Sequence, residues 1–304
     1  MNKCLIAQYG FIALLMLCFT TQPSAGQGET PKTDSKLETF HFGLDYYRGI
    51  TNDTGGNTQL TDGHWAGFGG SVPSNVSLHW SHGEEQTLHI SFGIGDMWTG
   101  SGVIVKQPME AYYRLTTGAN SHVTVGKYFV PFAIQEWEYE SKYGVMYETT
   151  RGPMSLVASA NYNTDVQKPN FYARAGRQCG AATNIGISAG SGVGLFTATD
   201  HDMAFGADIT HDVAGFHLTS EYVAALRTDE AFQFAFFKAA YTRLGAFGPY
   251  AAVYYWHDPC CALGHFSSAV IGASYKLSPN FSVEAAYARA NGRHVYWLQS
   301  RTTL

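Results

Sequence analysis

Charged side chains recur at alternate positions along many short segments of this chain, and they are the residues that could do chemistry. Glu110, Tyr112 and Arg114, for example, share one phase of such a segment. Successive residues of a β-strand point to opposite faces, so these groups would form rows that bind ions, hold water or pair with one another. If these segments are strands of a closed barrel, one of their faces lines its interior. The candidate residues of that inner face are Asp45, Glu110, Arg114, Lys127, Glu148, Arg174, Asp208, Glu221, Lys238, Lys276, Glu284 and Arg301.

Two of these lysines follow an apolar phase. Lys127 continues the phase of Val125, and Lys238 continues that of three phenylalanines. Because these apolar residues are expected on the outward face, the pattern would place both lysines there as well. A lysine that faces lipid at mid-depth costs about 2–4 kcal/mol. A β-bulge near Gly126 and another near Phe237, each returning its lysine to the inner face, are therefore predicted in preference to the alternative, in which the lysine snorkels. The phenylalanines are Phe232, Phe234 and Phe236.

Catalytic arrangements are absent from the sequence pattern. Ser220 lies near His217 and Glu221, but it falls on the opposite phase, so the three side chains cannot converge as a triad requires. No G-x-S-x-G or H-E-x-x-H motif occurs. The sequence predicts a protein that is not an enzyme and uses no cofactor.

Histidine is abundant, with twelve residues, and three of them fall on the inward phase of the first three strands: His41, His79 and His89. Imidazole is a common transition-metal ligand. Their sequence spacing does not form a closed ligand set, and filling of a polar interior explains them equally well. No metal site is predicted.

The elements that must position these groups are strands of period two. Phe40, Phe42 and Leu44 share one face of the first segment, whereas Thr39 and His41 share the other. About sixteen such segments occur, and their connections alternate between short and long, as in an up-and-down barrel. The prediction is an all-β transmembrane antiparallel barrel over residues 37–304 with about sixteen strands, or twelve to fourteen as the alternative.

Composition supports a barrel whose outer wall faces lipid. Only 14% of residues are charged, against ~25% in soluble domains. One face of most segments is wholly apolar or aromatic. A soluble periplasmic β-protein or lectin, which is another alternative, would avoid such a face in water. The net charge of -5 argues against nucleic acid as a partner.

The N-terminus predicts export. Lys3 precedes an apolar run from Phe11 to Phe19, and Ser24 and Gly26 supply the small residues of a cleavage site. We expect a signal peptide over residues 1–26 and a polar leader over residues 27–36. The run is shorter than the ~20 residues that cross a bilayer as a helix. The predicted location is the outer membrane.

The segment from Val125 to Glu140 carries a resemblance to a known family. It contains Gly126, Lys127, Tyr128, Phe129, Val130, Pro131, Phe132 and Ala133, followed by Glu136, Glu138 and Glu140. It resembles the stretch G-K-F-x-x-P-F/I-G and the acidic residue after it in OmpL-like, porin-2 type β-barrel porins of the bacterial outer membrane. Ala133 stands where that family usually has glycine, and Leu304 stands where a terminal aromatic is commoner.

The resemblance implies passive passage of ions and small solutes, and it places Lys127, Glu136, Glu138 and Glu140 near a loop that folds into the channel. It also implies a homo-oligomer, such as a trimer. The near balance of acids and bases on the inner face predicts weak selectivity. The alternative is a barrel filled by its own side chains, with a structural or surface-interaction role. The predicted partners are membrane lipid and small solutes.

Overall fold

The computed structural model describes residues 38–56, 58–61, 63–65, 71–94, 108–133, 141–163, 168–191, 203–226, 231–257 and 265–304. This part of the chain contains eighteen β-strands. They are β1 (Glu38–Asp53), β2 (Thr58–Thr61), β3 (Gly63–Trp65), β4 (Ser71–His82), β5 (Gln86–Ile94), β6 (Glu110–Gly118), β7 (Ser121–Phe129), β8 (Ser141–Arg151), β9 (Met154–Asn163), β10 (Lys168–Cys179), β11 (Thr183–Ser191), β12 (Met203–Val213), β13 (Phe216–Leu226), β14 (Ala231–Tyr241), β15 (Phe247–His257), β16 (His265–Ser278), β17 (Phe281–Ala290) and β18 (Arg293–Thr303).

The strands form a closed antiparallel barrel. Each strand from β4 to β17 pairs with the next one along the chain, and the last strand, β18, returns to pair with β1 between Asp45 and Asp53. Two short strands, β2 and β3, pair with β1 and β4 respectively, and the other sixteen strands form the wall. Within the described residues the sheet of sixteen long strands closes on itself, and the predicted strand number of about sixteen is confirmed.

Short turns join the strands at one end of the barrel. The seven connections from β4–β5 to β16–β17 at that end contain two to five residues. At the other end, Asn291 and Gly292 join β17 to β18 with φ angles of 46° and 80°. Two consecutive positive φ angles define a type I′ turn, whose twist matches that of the strands it connects, and Asn-Gly is its preferred sequence.

The outward face is apolar along the wall. Phe42 is 81% exposed, and Ile187 and Ile271 are 66% and 61% exposed. Phe205, also predicted to face outward, is half-exposed on β12. These residues alternate with buried polar or small residues such as Asp208. This is the alternation of barrels whose outer wall faces hydrocarbon.

The inner face carries an apolar cluster on one side, which corrects the sequence prediction for β14. The phenylalanine row faces inward, with exposures of 1%, 1% and 2%, and Phe237 faces outward instead. Pairing of β13 with β14 is unbroken, so the predicted bulge near Phe237 is wrong. Three further aromatic residues, Tyr250, Tyr254 and Trp256, pack against this cluster.

Several predictions fall outside the described residues. These are the signal peptide over residues 1–26, the leader over residues 27–36, and the three glutamates at positions 136, 138 and 140. They therefore remain predictions. Among the residues that the structure describes, none belongs to a helix long and apolar enough to cross a membrane.

The candidate site on the inner wall of the barrel

Eleven of the twelve predicted inner-face residues occupy inward positions of their strands. The pairing registers place them in phase with buried residues such as Thr51, Thr124 and Ser188. The eleven are Asp45, Glu110, Arg114, Glu148, Arg174, Asp208, Glu221, Lys238, Lys276, Glu284 and Arg301. Lys238 is inward because the whole phenylalanine row of β14 is inward, and no bulge is needed.

Lys127 is the exception. Pairing of β7 with β6 and with β8 runs through Gly126 without a break, so the bulge predicted there is wrong. Lys127 lies opposite Ala111 and Tyr143 on the outward phase, and Tyr143 is 43% exposed. The Lys127 Nζ donates to the Pro108 carbonyl oxygen at 2.8 Å and lies 5.7 Å from the Tyr143 ring centroid. The ammonium thus reaches along the wall to a polar partner, as a snorkelling lysine does.

Opposite charges meet in pairs around the inner wall. Arg301 donates from Nε and Nη2 to the two carboxylate oxygens of Asp45, both at 2.8 Å. Arg174 makes the same two-pronged contact with Asp208, with Nε 3.0 Å from Oδ2. Planar guanidinium and carboxylate groups fit each other in this geometry. The side chain of Asp208 is only 2% exposed, so its charge depends on Arg174.

A third pair lies between β6 and β8. Arg114 Nη2 is 3.2 Å from Glu148 Oε2, and both side chains are partly exposed. Further along the same row, His89 Nε2 lies 3.4 Å from Glu110 Oε2. The wall therefore presents paired charges, and pairs of opposite sign bias the passage of ions less than a ring of one sign does.

Two other acidic groups lie on the inward phase, and one of them, Glu284, binds neutral donors. Glu284 accepts a hydrogen bond from the Tyr250 hydroxyl at 2.5 Å and another from Trp297 Nε1 at 3.3 Å. Glu221 is 2% exposed on β13, beside Phe236 of the apolar cluster. The two hydrogen bonds hold the Glu284 carboxylate in a fixed position on the wall.

Sequence reasoning missed Lys142. This residue is 4% exposed on the inward phase of β8, and its Nζ donates to the Tyr172 hydroxyl at 3.1 Å. With the Asn170 side-chain amide oriented to satisfy its neighbours, the Asn170 oxygen accepts a second bond from Lys142 at 3.1 Å. The signal was available, because Lys142 shares its phase with Glu148.

The chain that leaves β7 enters the barrel. Val130, Phe132 and Ala133 are buried, and the Phe132 ring meets the Tyr172 ring edge-on with centroids 6.0 Å apart. The Ala133 backbone N–H donates to Ser188 Oγ at 2.9 Å. This segment thereby lies against the inner face of β10, β11 and β12, in the region where the resemblance implied a loop that narrows the channel.

Small residues on the facing strands make room for this segment. A Cβ atom at Gly206 would lie 3.2 Å from Phe132 Cε1 and 3.3 Å from Ala133 Cβ, which is tighter than ordinary packing. Ala133 itself has a φ of 53°, in the left-handed region. That conformation costs a non-glycine residue about 1–2 kcal/mol, which gives a physical reason for glycine at this position in the resembled family.

The three inward histidines form one row across neighbouring strands. His41 pairs with His79, which pairs with His89, and the last two rings lie 5.9 Å apart. In the part of the chain that the structure describes, no three metal-ligating side chains converge as a metal site requires. Ser220 faces outward and donates to the Phe236 carbonyl oxygen, whereas Glu221 faces inward.

Comparisons with known proteins agree with this fold. No protein-family model and no curated protein sequence matches the chain. Solved structures do match. OmpT, an outer membrane protein of Vibrio cholerae, has a TM-score of 0.66 in its loop L8 deletion mutant, at 11% identity over 88% of this chain and 99% of that one. Its trimer form has a TM-score of 0.63 at 11% identity, over 88% and 99% of the two chains.

Two further matches have similar scores. The anion-selective porin from Comamonas acidovorans has a TM-score of 0.65 at 12% identity, covering 88% of this chain and 100% of the porin. The outer membrane channel DcaP of Acinetobacter baumannii has a TM-score of 0.65 at 10% identity, covering 88% and 97%. At such low identities the likeness establishes the fold, which is that of outer-membrane porins and channels.

Proposed function

We propose that this protein is a porin-like outer-membrane channel for passive diffusion of ions and small hydrophilic solutes, working without cofactor or catalysis. The observation that carries the proposal is a closed sixteen-strand wall with large apolar residues outside and paired charges inside. Barrels of 16–18 strands leave an aqueous channel. A water-filled interior is also where paired, hydrogen-bonded charges are stable within a membrane.

Weak selectivity is part of the proposal. Six acids and six bases described above lie on the inward phase, so no sign dominates. The acids are Asp45, Glu110, Glu148, Asp208, Glu221 and Glu284. The bases are Arg114, Lys142, Arg174, Lys238, Lys276 and Arg301.

Location and assembly follow the same proposal. The apolar outward face suits outer-membrane lipid, and a cleaved signal peptide over residues 1–26 would take the chain there. OmpT of Vibrio cholerae, similar in fold, has a trimer form, which supports a homo-oligomer for this chain. Membership in the OmpL-like, porin-2 type rests on the residues from Gly126 to Ala133 and on the inward course of the segment that ends there.

A filled barrel with a structural or surface-interaction role is the second candidate. The apolar cluster inside the wall favours it, because Phe132, Tyr172, Phe234 and Trp297 occupy volume that an open porin leaves to water. The two candidates differ in whether a continuous aqueous path remains beside this cluster.

Planar-bilayer recording separates the two candidates. Folded protein, identified by heat-modifiable migration on detergent gels, should give discrete ohmic current steps if the channel is open. Silence from the same folded preparation would reject the channel and support the filled barrel.

Reversal potentials in a salt gradient test the inner wall. Arg114→Glu should move the reversal potential toward cation preference, because it replaces one inward positive charge with a negative one beside Glu148. Lys127→Glu is the matched control, since the same charge change on the outward face should leave the reversal potential unchanged. Equal shifts from both substitutions would contradict the assignment of the faces.

A further inference from the structure

A recess in the inner wall between β6, β7 and β8 has the properties of a small-molecule site. The cavity has a volume of about 130 Å³. A water molecule takes about 30 Å³ in the liquid and a cavity of about 150 Å³ holds benzene, so roughly four to six water-sized groups fit, and a larger solute would extend from the recess into the barrel interior. The residues that matter for recognition are Glu110, Tyr112, Arg114, Thr124, Tyr128 and Glu148.

Two polar atoms that belong to the lining residues are buried without a hydrogen-bond partner. These are Arg114 Nε and Thr124 Oγ1, whereas the Tyr128 hydroxyl interacts with Ser159. Thr124 and Tyr128 are each 1% exposed as residues. Buried polar groups left unpaired cost about 1–3 kcal/mol each, and most native ones find a partner. Two such atoms on the lining of one small cavity indicate that a polar molecule completes them.

The charges around the cavity limit what that molecule can be. Arg114 Nη2 already contacts Glu148 at 3.2 Å, and Glu110 contacts His89 at 3.4 Å. An anion would meet two carboxylates, and a cation would leave Arg114 Nε, which only donates, without an acceptor. A neutral molecule with several hydroxyl groups satisfies every position, because a hydroxyl can accept from Arg114 and donate to a carboxylate.

We propose that this recess, lined by Glu110, Arg114, Thr124, Tyr128 and Glu148, binds a neutral polyhydroxylated solute of about monosaccharide size. The inference goes beyond the proposed function and rests on it only in that solutes must reach the barrel interior. The Tyr112 ring also lines the recess, and one of its faces stacks on the His89 ring with centroids 5.1 Å apart.

Equilibrium binding to the folded, detergent-solubilised protein tests the proposal, with D-glucose as the probe and isothermal titration calorimetry as the readout. Saturable binding of D-glucose is expected, with weaker binding of cyclohexanol, which keeps the ring but has one hydroxyl. Glucuronate, whose negative charge would meet the two carboxylates, should bind more weakly than D-glucose. Tighter binding of glucuronate, or no saturable binding of D-glucose, would overturn the proposal.

Variants locate the site. Thr124→Val and Tyr128→Phe each remove a hydroxyl with little change in shape, and each should weaken D-glucose binding about two- to tenfold, the value of one hydrogen bond. Thr219→Val, at a buried inward threonine of β13, is the matched control and should bind D-glucose as the unaltered protein does. Undiminished binding by both Thr124→Val and Tyr128→Phe would reject this recess as the site.

Conductance measured on the same preparation keeps the two proposals apart. D-glucose binding with no current steps would reject the channel and keep the site. Current steps with no D-glucose binding would reject the site and keep the channel.

Discussion

Phe132 is the main anchor of the segment that enters the barrel, and its removal should widen the path through the interior. The ring is 1% exposed and packs against Tyr172 and the backbone at Gly206. Phe132→Ala would remove this packing, which in a close-packed site costs about 3–5 kcal/mol. The hydrogen bond from Ala133 to Ser188 would remain and would contribute only about 1 kcal/mol.

This loss acts on the equilibrium between docked and released forms of the segment. At 1.4 kcal/mol per factor of ten, the released form should gain roughly a hundred- to a few-thousand-fold in population, provided that the barrel wall is unaffected. The wall does not depend on Phe132, because its strands pair with one another through their backbones. We therefore expect folded barrels whose interior is less obstructed.

Single-channel recording in planar bilayers is the assay. Phe132→Ala should raise the mean conductance and the current noise, and a protein that is silent before the change should begin to conduct. Phe205→Ala is the matched control, since Phe205 adjoins Gly206 on β12 but faces outward and is 44% exposed. Folded Phe132→Ala barrels with the conductance and noise of the unaltered protein would refute the claim that this segment narrows the lumen.

Three further predictions concern stability, each checked by urea titration of the folded barrel in detergent with heat-modifiable migration as the readout. Arg174→Ala should lower the free energy of unfolding by about 3 kcal/mol, because it leaves the Asp208 charge buried and unpaired. Adding Asp208→Asn should recover much of this loss, and no recovery would mean that the buried charge is not its cause. Ala133→Gly should raise the free energy by about 1 kcal/mol by relieving the left-handed backbone, and a decrease would contradict that reading of the φ of 53°. Gly292→Ala should lower the free energy of unfolding by about 1–2 kcal/mol, because the backbone φ at this position is +80° and the space around it is open. Gly118→Ala, where φ is not left-handed, should cost less, and equal losses would reject backbone strain as the reason.

The sequence indicates the inward phase of a strand where one of its faces is clearly more polar than the other. On β6, Glu110 and Arg114 alternate with Ala111 and Tyr113, so the phase follows from the sequence alone. The assignment of faces was wrong on β14. Both faces of that strand are largely apolar, so the face with the larger side chains was expected to face lipid. The sequence shows the shared phase of Phe236 and Lys238, from which a bulge is predicted, whereas one inward row accounts for both residues without one.

The error at β7 has a different cause. Lys127 was moved inward because a lysine facing lipid was judged too costly, but its long side chain reaches the Pro108 carbonyl oxygen. The cost of a charge in a membrane wall depends on the nearest polar group, which the sequence of one strand does not reveal. Lys142 was missed although its phase was readable.

Alternation of side chains was enough, by itself, to determine a closed barrel of about sixteen strands and the inward side of most of them. That determination is local, because strand geometry fixes which neighbours share a face. The tertiary structure alone decided that Arg174 pairs with Asp208, that Phe132 docks beside Gly206, and that part of the interior is apolar. These contacts join strands distant in sequence, so they depend on register and closure, which no single segment encodes.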